Sequence, residues 1–132
     1  MKDALYCFLY HSYMAPDQDI GCVAEIVKTA RGFNKAQHIT GILVFDGQRF
    51  CQYIEGPKTE VQALIQRLAD DPRHMQFTPK YQAPLQGERM FGHWSMAYVL
   101  VDDAEPLDAM EPLDGLLALD KLKELIPLLD VV

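Results

Sequence analysis

Two strand-like runs, Ile39 to Phe45 and Gln48 to Ile54, flank the dipeptide Asp46-Gly47. No other stretch constrains the fold as much, because Asp-Gly between such runs marks a tight β-hairpin. A two-residue loop pairs Phe45 with Gln48, Leu43 with Phe50 and Gly41 with Gln52. Gln52 then stands out. Its neighbours Phe50, Cys51, Tyr53 and Ile54 belong in a sheet interior, where an amide loses hydration unless its donors and acceptor are filled. A glycine opposite it leaves room beside the amide, as a close-lying ligand requires.

The other elements follow from periodicity. Leu5 to Ser12 reads as a strand with Tyr6, Phe8 and Tyr10 on one side and Leu5, Cys7 and Leu9 on the other, so it is expected to be central and covered on both faces. Ala15-Pro16-Asp17 breaks it, with Asp17 as a helix N-cap. Ile20, Val23, Ile26, Val27 and Ala30 keep helical spacing to about Phe33, and Asn34 falls at that helix's end, placed for a left-handed C-cap. A second helix begins at Gly56-Pro57, buries Val61, Leu64, Ile65 and Leu68, and ends at Asp71-Pro72. Strands are expected near Phe77 to Ala83 and from Trp94 to Val101.

The order β-α-β-β-α-β-β is an α+β plan, with two helices on one face of a five-stranded sheet. Its other face needs a cover. Leu113, Leu116, Leu117, Leu122, Leu125 and Ile126 recur at helical intervals between Pro112 and Pro127. They read as a C-terminal helical cap folding over the open face, with a dimer contact as the competing use. The division expected is a domain over residues 1–103 and a cap or output segment over 104–132.

Composition narrows the functional classes. The 132 residues carry a net charge of −7 without a basic cluster, which argues against nucleic acid and against anionic membranes. No apolar stretch approaches the ~20 residues of a membrane-spanning helix, and Met1 to Leu5 is not a signal peptide. Cys7, Cys22 and Cys51, an odd number in apolar surroundings, read as reduced core thiols of a cytoplasmic protein.

Motifs of common enzymes are missing. There is no glycine-rich phosphate loop, the four histidines lack metal-type spacing, and neither Ser12 nor Ser95 sits in a nucleophile elbow. What remains is Tyr10, Asn34, Gln52, Trp94 and Met96, all near element ends or on buried strands. Each alone has a plain structural use in packing or capping. Together they supply donors, acceptors and stacking surface for a planar heterocycle.

Six fragments, in order and with matching spacing, carry a family resemblance over about residues 4–101. They are Leu9-Tyr10-His11-Ser12, Ala30-Arg31-Gly32-Phe33-Asn34, Ile39-Thr40-Gly41-Ile42-Leu43 with Asp46-Gly47, Gln52-Tyr53-Ile54-Glu55-Gly56-Pro57, Asp71-Pro72-Arg73-His74, and Phe91-Gly92-His93-Trp94-Ser95-Met96. With them the chain resembles the BLUF domains, blue-light sensors that use a flavin. The resemblance implies a ferredoxin-like fold with the flavin, expected as FAD (FMN and riboflavin being alternatives), held edge-on between the two helices. It implies that Tyr10 donates an electron and a proton to the excited flavin, that Gln52 links Tyr10 to the ring, and that Asn34 bonds the ring's carbonyl and imide edge. Ile26 and Leu68 match contacts on the ring faces, and Arg73 and His74 match positions near the ribityl-phosphate tail and the ring. Phe33 departs from the pattern, standing where several members carry a polar residue. Either Trp94 or Met96 turns toward the glutamine in the family; Met96 is expected inward here, since Trp94 follows the exposed-looking Gly92-His93.

With the chain ending at Val132, no attached output module is expected, and the signal is expected to pass to a separate effector protein or within a homo-oligomer. Two other classes compete. A ferredoxin-like flavin or acyl-phosphate enzyme using Arg31 and Asn34 needs an anion loop near the first strand, which His11-Ser12-Tyr13 does not provide. A ligand-free interaction module needs Tyr10 and Gln52 to bond only each other.

Overall fold

Apolar side chains on both faces of Leu5–Met14 hold this strand, β1, inside the sheet between two antiparallel neighbours. A computed structural model describes residues 4–19, 21–90, 96–101 and 104–126. After β1 come α1 (Gly21–Ala36), β2 (Thr40–Phe45), β3 (Arg49–Pro57), α2 (Lys58–Ala69), β4 (His74–Pro84), β5 (Ala97–Leu100), α3 (Glu105–Met110) and α4 (Gly115–Leu125). The sheet order is β4-β1-β3-β2-β5, antiparallel except for the β2–β5 pair. This is the expected ferredoxin-like α+β plan.

The hairpin closes differently from expectation. Asp46 Oδ1 accepts the backbone N–H groups of Gln48 (3.0 Å) and Arg49 (2.7 Å), and Gly47 takes φ 98°. This local bonding carries the turn one residue further, over Asp46, Gly47 and Gln48, with Asp46 N–H bonded to the Arg49 carbonyl at 3.2 Å, so Phe45 pairs with Phe50, Leu43 with Gln52 and Gly41 with Ile54. Gly41 therefore does not face Gln52. Its lack of a side chain serves a close backbone approach, since a Cβ there would sit 2.0 Å from the Tyr53 carbonyl oxygen.

The ends of α1 also differ. Asp19, not Asp17, receives the first helical N–H, that of Gly21, at 2.8 Å. Ile20 lies outside the described residues. The helix runs on to Ala36, with Asn34 inside its last turn. His38 takes the left-handed conformation (φ 60°), while Ile39 N–H bonds the Asn34 carbonyl at 2.8 Å and His38 N–H reaches that of Lys35 at 3.4 Å. This pair of bonds is a Schellman closure, which occupies the Asn34 backbone and leaves its side chain to point elsewhere.

The sheet separates two cores. Phe8, Leu43, Phe45, Phe50 and Ile54 pack under α1 and α2 with Val23, Val27, Val61 and Leu64. On the opposite face Leu9, Ile42, Val44, Tyr53 and Val99 pack under α3 and α4 with Leu107, Met110, Ala118, Leu119 and Leu122. The C-terminal helices thus cover the open face, with Leu113, Leu122, Leu125 and Ile126 packed on it as expected and Leu116 and Leu117 turned away. α4 starts at Gly115 and turns Ala118, Leu119 and Leu122 inward, which leaves Leu116 and Leu117 60% and 67% exposed. Pro127 lies outside the described residues.

Polar contacts fasten this cap. Tyr13 donates to the Glu111 carboxylate, Arg49 Nη1 meets Asp108 at 2.8 Å, Arg49 Nη2 donates to the Ala104 carbonyl at 3.0 Å, and Lys80 Nζ donates to that of Glu111 at 2.7 Å. Among the described residues no helix is long and apolar enough to cross a membrane. All three cysteines are free thiols, Cys7 and Cys51 buried and Cys22 only partly so.

Candidate functional site

A cavity of about 400 Å³ opens between α1 and α2 above the sheet. α1 contributes Ile26, Thr29, Ala30, Phe33 and Asn34, and α2 with the turn after it contributes Leu64, Arg67, Leu68, Asp71, Pro72 and Arg73. Both sets repeat at three- and four-residue spacing, as one face of a helix does. Gln52 on β3 also lines the cavity. A smaller adjoining recess is bounded by Tyr10, Leu43, Phe50, Leu68, Arg73 and His74.

Tyr10 and Gln52 meet under this cavity. They are register partners across β1 and β3, only 3% and 4% exposed, and the Tyr10 hydroxyl donates to Gln52 Oε1 at 2.6 Å. Burial raises the Tyr10 pKa well above the phenol's ordinary value, so the group stays a neutral donor. Gln52 Nε2 in turn donates to Met96 Sδ at 3.6 Å. A thioether has lone pairs and no proton, so this contact holds the amide nitrogen toward Met96 and the carbonyl toward Tyr10. Met96 is buried; Trp94 lies outside the described residues.

The surrounding side chains hold the tyrosine ring. Phe77 lies 4.8 Å from it, centroid to centroid, and the His74 ring meets it edge-on at 5.7 Å. His74 is fixed at both nitrogens, 2.5 Å from the Leu68 carbonyl oxygen and 2.8 Å from Ser12 Oγ. A carbonyl only accepts, so Nε2 carries a proton and, in the neutral ring, Nδ1 accepts from the serine.

Asn34, only 1% exposed, presents the other amide to the cavity. At the rim the Arg67 guanidinium stacks on the Phe33 ring, 4.2 Å from its centroid. Arg73 forks onto Asp71, Nε to Oδ1 at 3.0 Å and Nη2 to Oδ2 at 2.7 Å. Burial opposes ionisation of Asp71, yet these Arg73 bonds outweigh it and hold the carboxyl below its usual range.

The set fits a flavin ring. Its lining is largely apolar in surface, the Asn34 and Gln52 amides both face into it, Arg67 and Arg73 add cations, and the volume suits a planar heterocycle. The structure gathers Tyr10, Ile26, Phe33, Asn34, Gln52, Leu68, Arg73, His74 and Met96 around this cavity or directly beneath it. Thr29, Leu64, Arg67, Ala30, Asp71 and Pro72 also line it and were not expected there, nor were Phe77 and Ser12 beneath it. The first three were legible as continuations of the two helical stripes.

The family model for BLUF, sensors of blue-light using FAD, matches residues 5–97. The chain is 34% identical over 70 residues to the blue light- and temperature-regulated antirepressor BluF of Escherichia coli (strain K12), covering 53% of this chain and 17% of that protein. It is 40% identical over 75 residues to the photoactivated adenylate cyclase subunit beta of Euglena gracilis, covering 56% of this chain and 9% of that one. The chain thus spans a small part of either relative. The dark-state structure of the BLUF protein BlrB superposes with a TM-score of 0.79 at 28% identity, over 96% of this chain and 97% of that one. A match over most of the chain, on a ferredoxin-like sheet with a cavity suited to a flavin, means that this protein belongs to the BLUF family of blue-light sensors.

Proposed function

We propose that the cavity between α1 and α2 holds FAD and that Tyr10 and Gln52 form the light-driven relay beneath it. The observation that carries this reading is the buried 2.6 Å bond from the Tyr10 hydroxyl to Gln52 Oε1 beside a cavity of about 400 Å³. In this reading Asn34 bonds the polar edge of the ring, Ile26 and Leu68 lie against its faces, and Phe33 adds an apolar contact. Arg73 lies toward the tail, with His74 near the ring. The Arg67 guanidinium, stacked on Phe33 and carrying no carboxylate across it among the described residues, favours a phosphate-bearing flavin, FAD or FMN, over riboflavin, whereas the Arg73 fork is taken up by Asp71.

When bound, the flavin supplies a blue-absorbing ring that accepts an electron on excitation. Tyr10 begins as a neutral phenol whose proton is already shared with an amide oxygen, so electron and proton can leave it together. Gln52 responds because an amide is asymmetric: rotation or tautomerisation exchanges donor for acceptor while its shape hardly changes. Met96 makes this exchange easy, since a sulfur is a weak acceptor and little is lost when its bond breaks. In a dry site one such exchange is worth on the order of 1–3 kcal/mol, enough to bias a two-state element.

Residues 1–103 act in this reading as the flavin-binding unit and 104–132 as the cap and output segment. Leu116 and Leu117, outward on α4, offer apolar surface to a separate effector protein or to a second copy in a homo-oligomer. Three free thiols support a reducing, cytoplasmic setting.

Reconstitution with FAD tests the assignment. The expected product is yellow, and blue light shifts its visible band to longer wavelength, with return in the dark and no bleaching. Protein that takes up no flavin, or that bleaches and turns over an added substrate, contradicts it.

A further inference from the structure

We propose that Arg31 is a positioning residue for the switch, holding the backbone of Met96 so that its sulfur stays on the Gln52 amide. Arg31 Nε donates to the Met96 carbonyl oxygen at 3.0 Å, and Met96 Sδ lies 3.6 Å from Gln52 Nε2. The inference rests on the photoreceptor reading only where it concerns the light response.

The need for such a strap follows from topology. Met96 immediately precedes β5, a strand of four residues at the sheet edge, paired in parallel with β2 from Ala97 onward. Its carbonyl lies before the first register pair. Arg31 supplies a donor from α1, the helix that walls the cavity, and so ties that wall to the start of β5. Methionine has three rotatable side-chain bonds and a weakly accepting sulfur, so its own contact with Gln52 is a poor anchor. Fixing the backbone is what restricts the sulfur's reach.

Arg31 does not line the cavity, whereas Arg67 and Arg73 do. Its influence on a bound ring therefore runs through Met96. If Met96 moves when Gln52 reorients, the Arg31 bond resists that movement in the resting state and favours return to it.

The test uses the full chain labelled with [methyl-13C]methionine, the Met96 signal being assigned by its loss in Met96→Leu. In flavin-free protein, Arg31→Ala is expected to shift or broaden the Met96 methyl signal, with Arg31→Lys nearer to wild type because an ammonium can still donate to the carbonyl. With FAD bound, Arg31→Ala is expected to change dark recovery about three- to tenfold, the rate equivalent of one modest hydrogen bond, with FAD affinity within about twofold of wild type. An unmoved Met96 signal in Arg31→Ala and Arg31→Gln overturns the proposal. So does a tenfold loss of FAD affinity with Met96 unchanged, which would make Arg31 a ligand contact. Absence of any light response in wild-type protein overturns the photoreceptor reading instead, while the methyl signals still decide the Arg31–Met96 link.

Discussion

Tyr10 and Gln52 face each other across β1 and β3, and one short hydrogen bond sets the polarity of everything beyond it. Met96 Sδ has no proton to give, so it takes the Gln52 nitrogen, and the amide oxygen is left to accept from the Tyr10 hydroxyl. The next residues in the two strands, His11 and Cys51, are also register partners and point to the opposite face, where α3 and α4 lie. The site and the cap therefore share two strands.

Asn34→Ala removes the amide that α1 offers to the cavity while the Schellman closure, made by backbone, survives. FAD affinity is expected to fall about tenfold, the equivalent of one hydrogen bond in a shielded site. Titration followed by flavin fluorescence measures it, with thermal stability of the flavin-free protein little changed.

Arg67→Ala leaves the apolar walls intact and removes a rim cation. FMN and FAD are expected to bind several-fold more weakly while riboflavin affinity stays the same, and the difference shrinks at high salt because an exposed charge is screened. Equal losses for all three flavins would place Arg67 on the ring rather than the phosphate.

Acid should loosen the cap in two steps. Burial lowers the His11 pKa from its ordinary 6.5, reinforced by Lys80 and Arg49 and opposed by Glu111 and Asp46. The unfolded chain then binds a proton the folded one refuses, so stability present above about pH 6.5 is lost as pH falls below it. Glu111 is held below its ordinary 4.5 chiefly by the Tyr13 hydroxyl, against the effect of burial and with help from His11 and Arg49, and its contribution is lost below that pH. Thermal midpoints measured from pH 7.5 to 5 are expected to fall in wild type and to flatten in His11→Gln.

Arg49→Met breaks the bonds from β3 to Asp108, Glu111 and the Ala104 carbonyl, and strips Asp46 of its partner. The expected cost is about 2–4 kcal/mol by chemical denaturation, because a largely buried guanidinium leaves several acceptors unmatched. Amide exchange is expected to rise most in α3 and α4, with β1 and β3 remaining protected.

The fold was legible where one periodicity governed one element. β1 with apolar faces on both sides, the stripes of α1 and α2, and the glutamine stranded in β3 all followed from spacing. The hairpin register did not, because Asp46 bonds its own loop and carries the turn to Gln48, one residue beyond the Asp-Gly pair. Asn34 was found for its chemistry but placed at the wrong point of the helix, since His38 adopts left-handed backbone four residues later. In the leucine-rich tail Leu113, Leu122, Leu125 and Ile126 were read correctly, and the sheet beneath selects Ala118 and Leu119 over Leu116 and Leu117. The cap's polar fastening was invisible: Tyr13 and Arg49 meet Glu111 across sequence separations of 98 and 62.

The relay is tested most directly by difference spectra of FAD-loaded wild type, Tyr10→Phe and Gln52→Leu under blue light. All three are expected to retain flavin, and only wild type to show a red shift that reverts in the dark. A normal reversible shift in Tyr10→Phe or Gln52→Leu would contradict the role given to that pair.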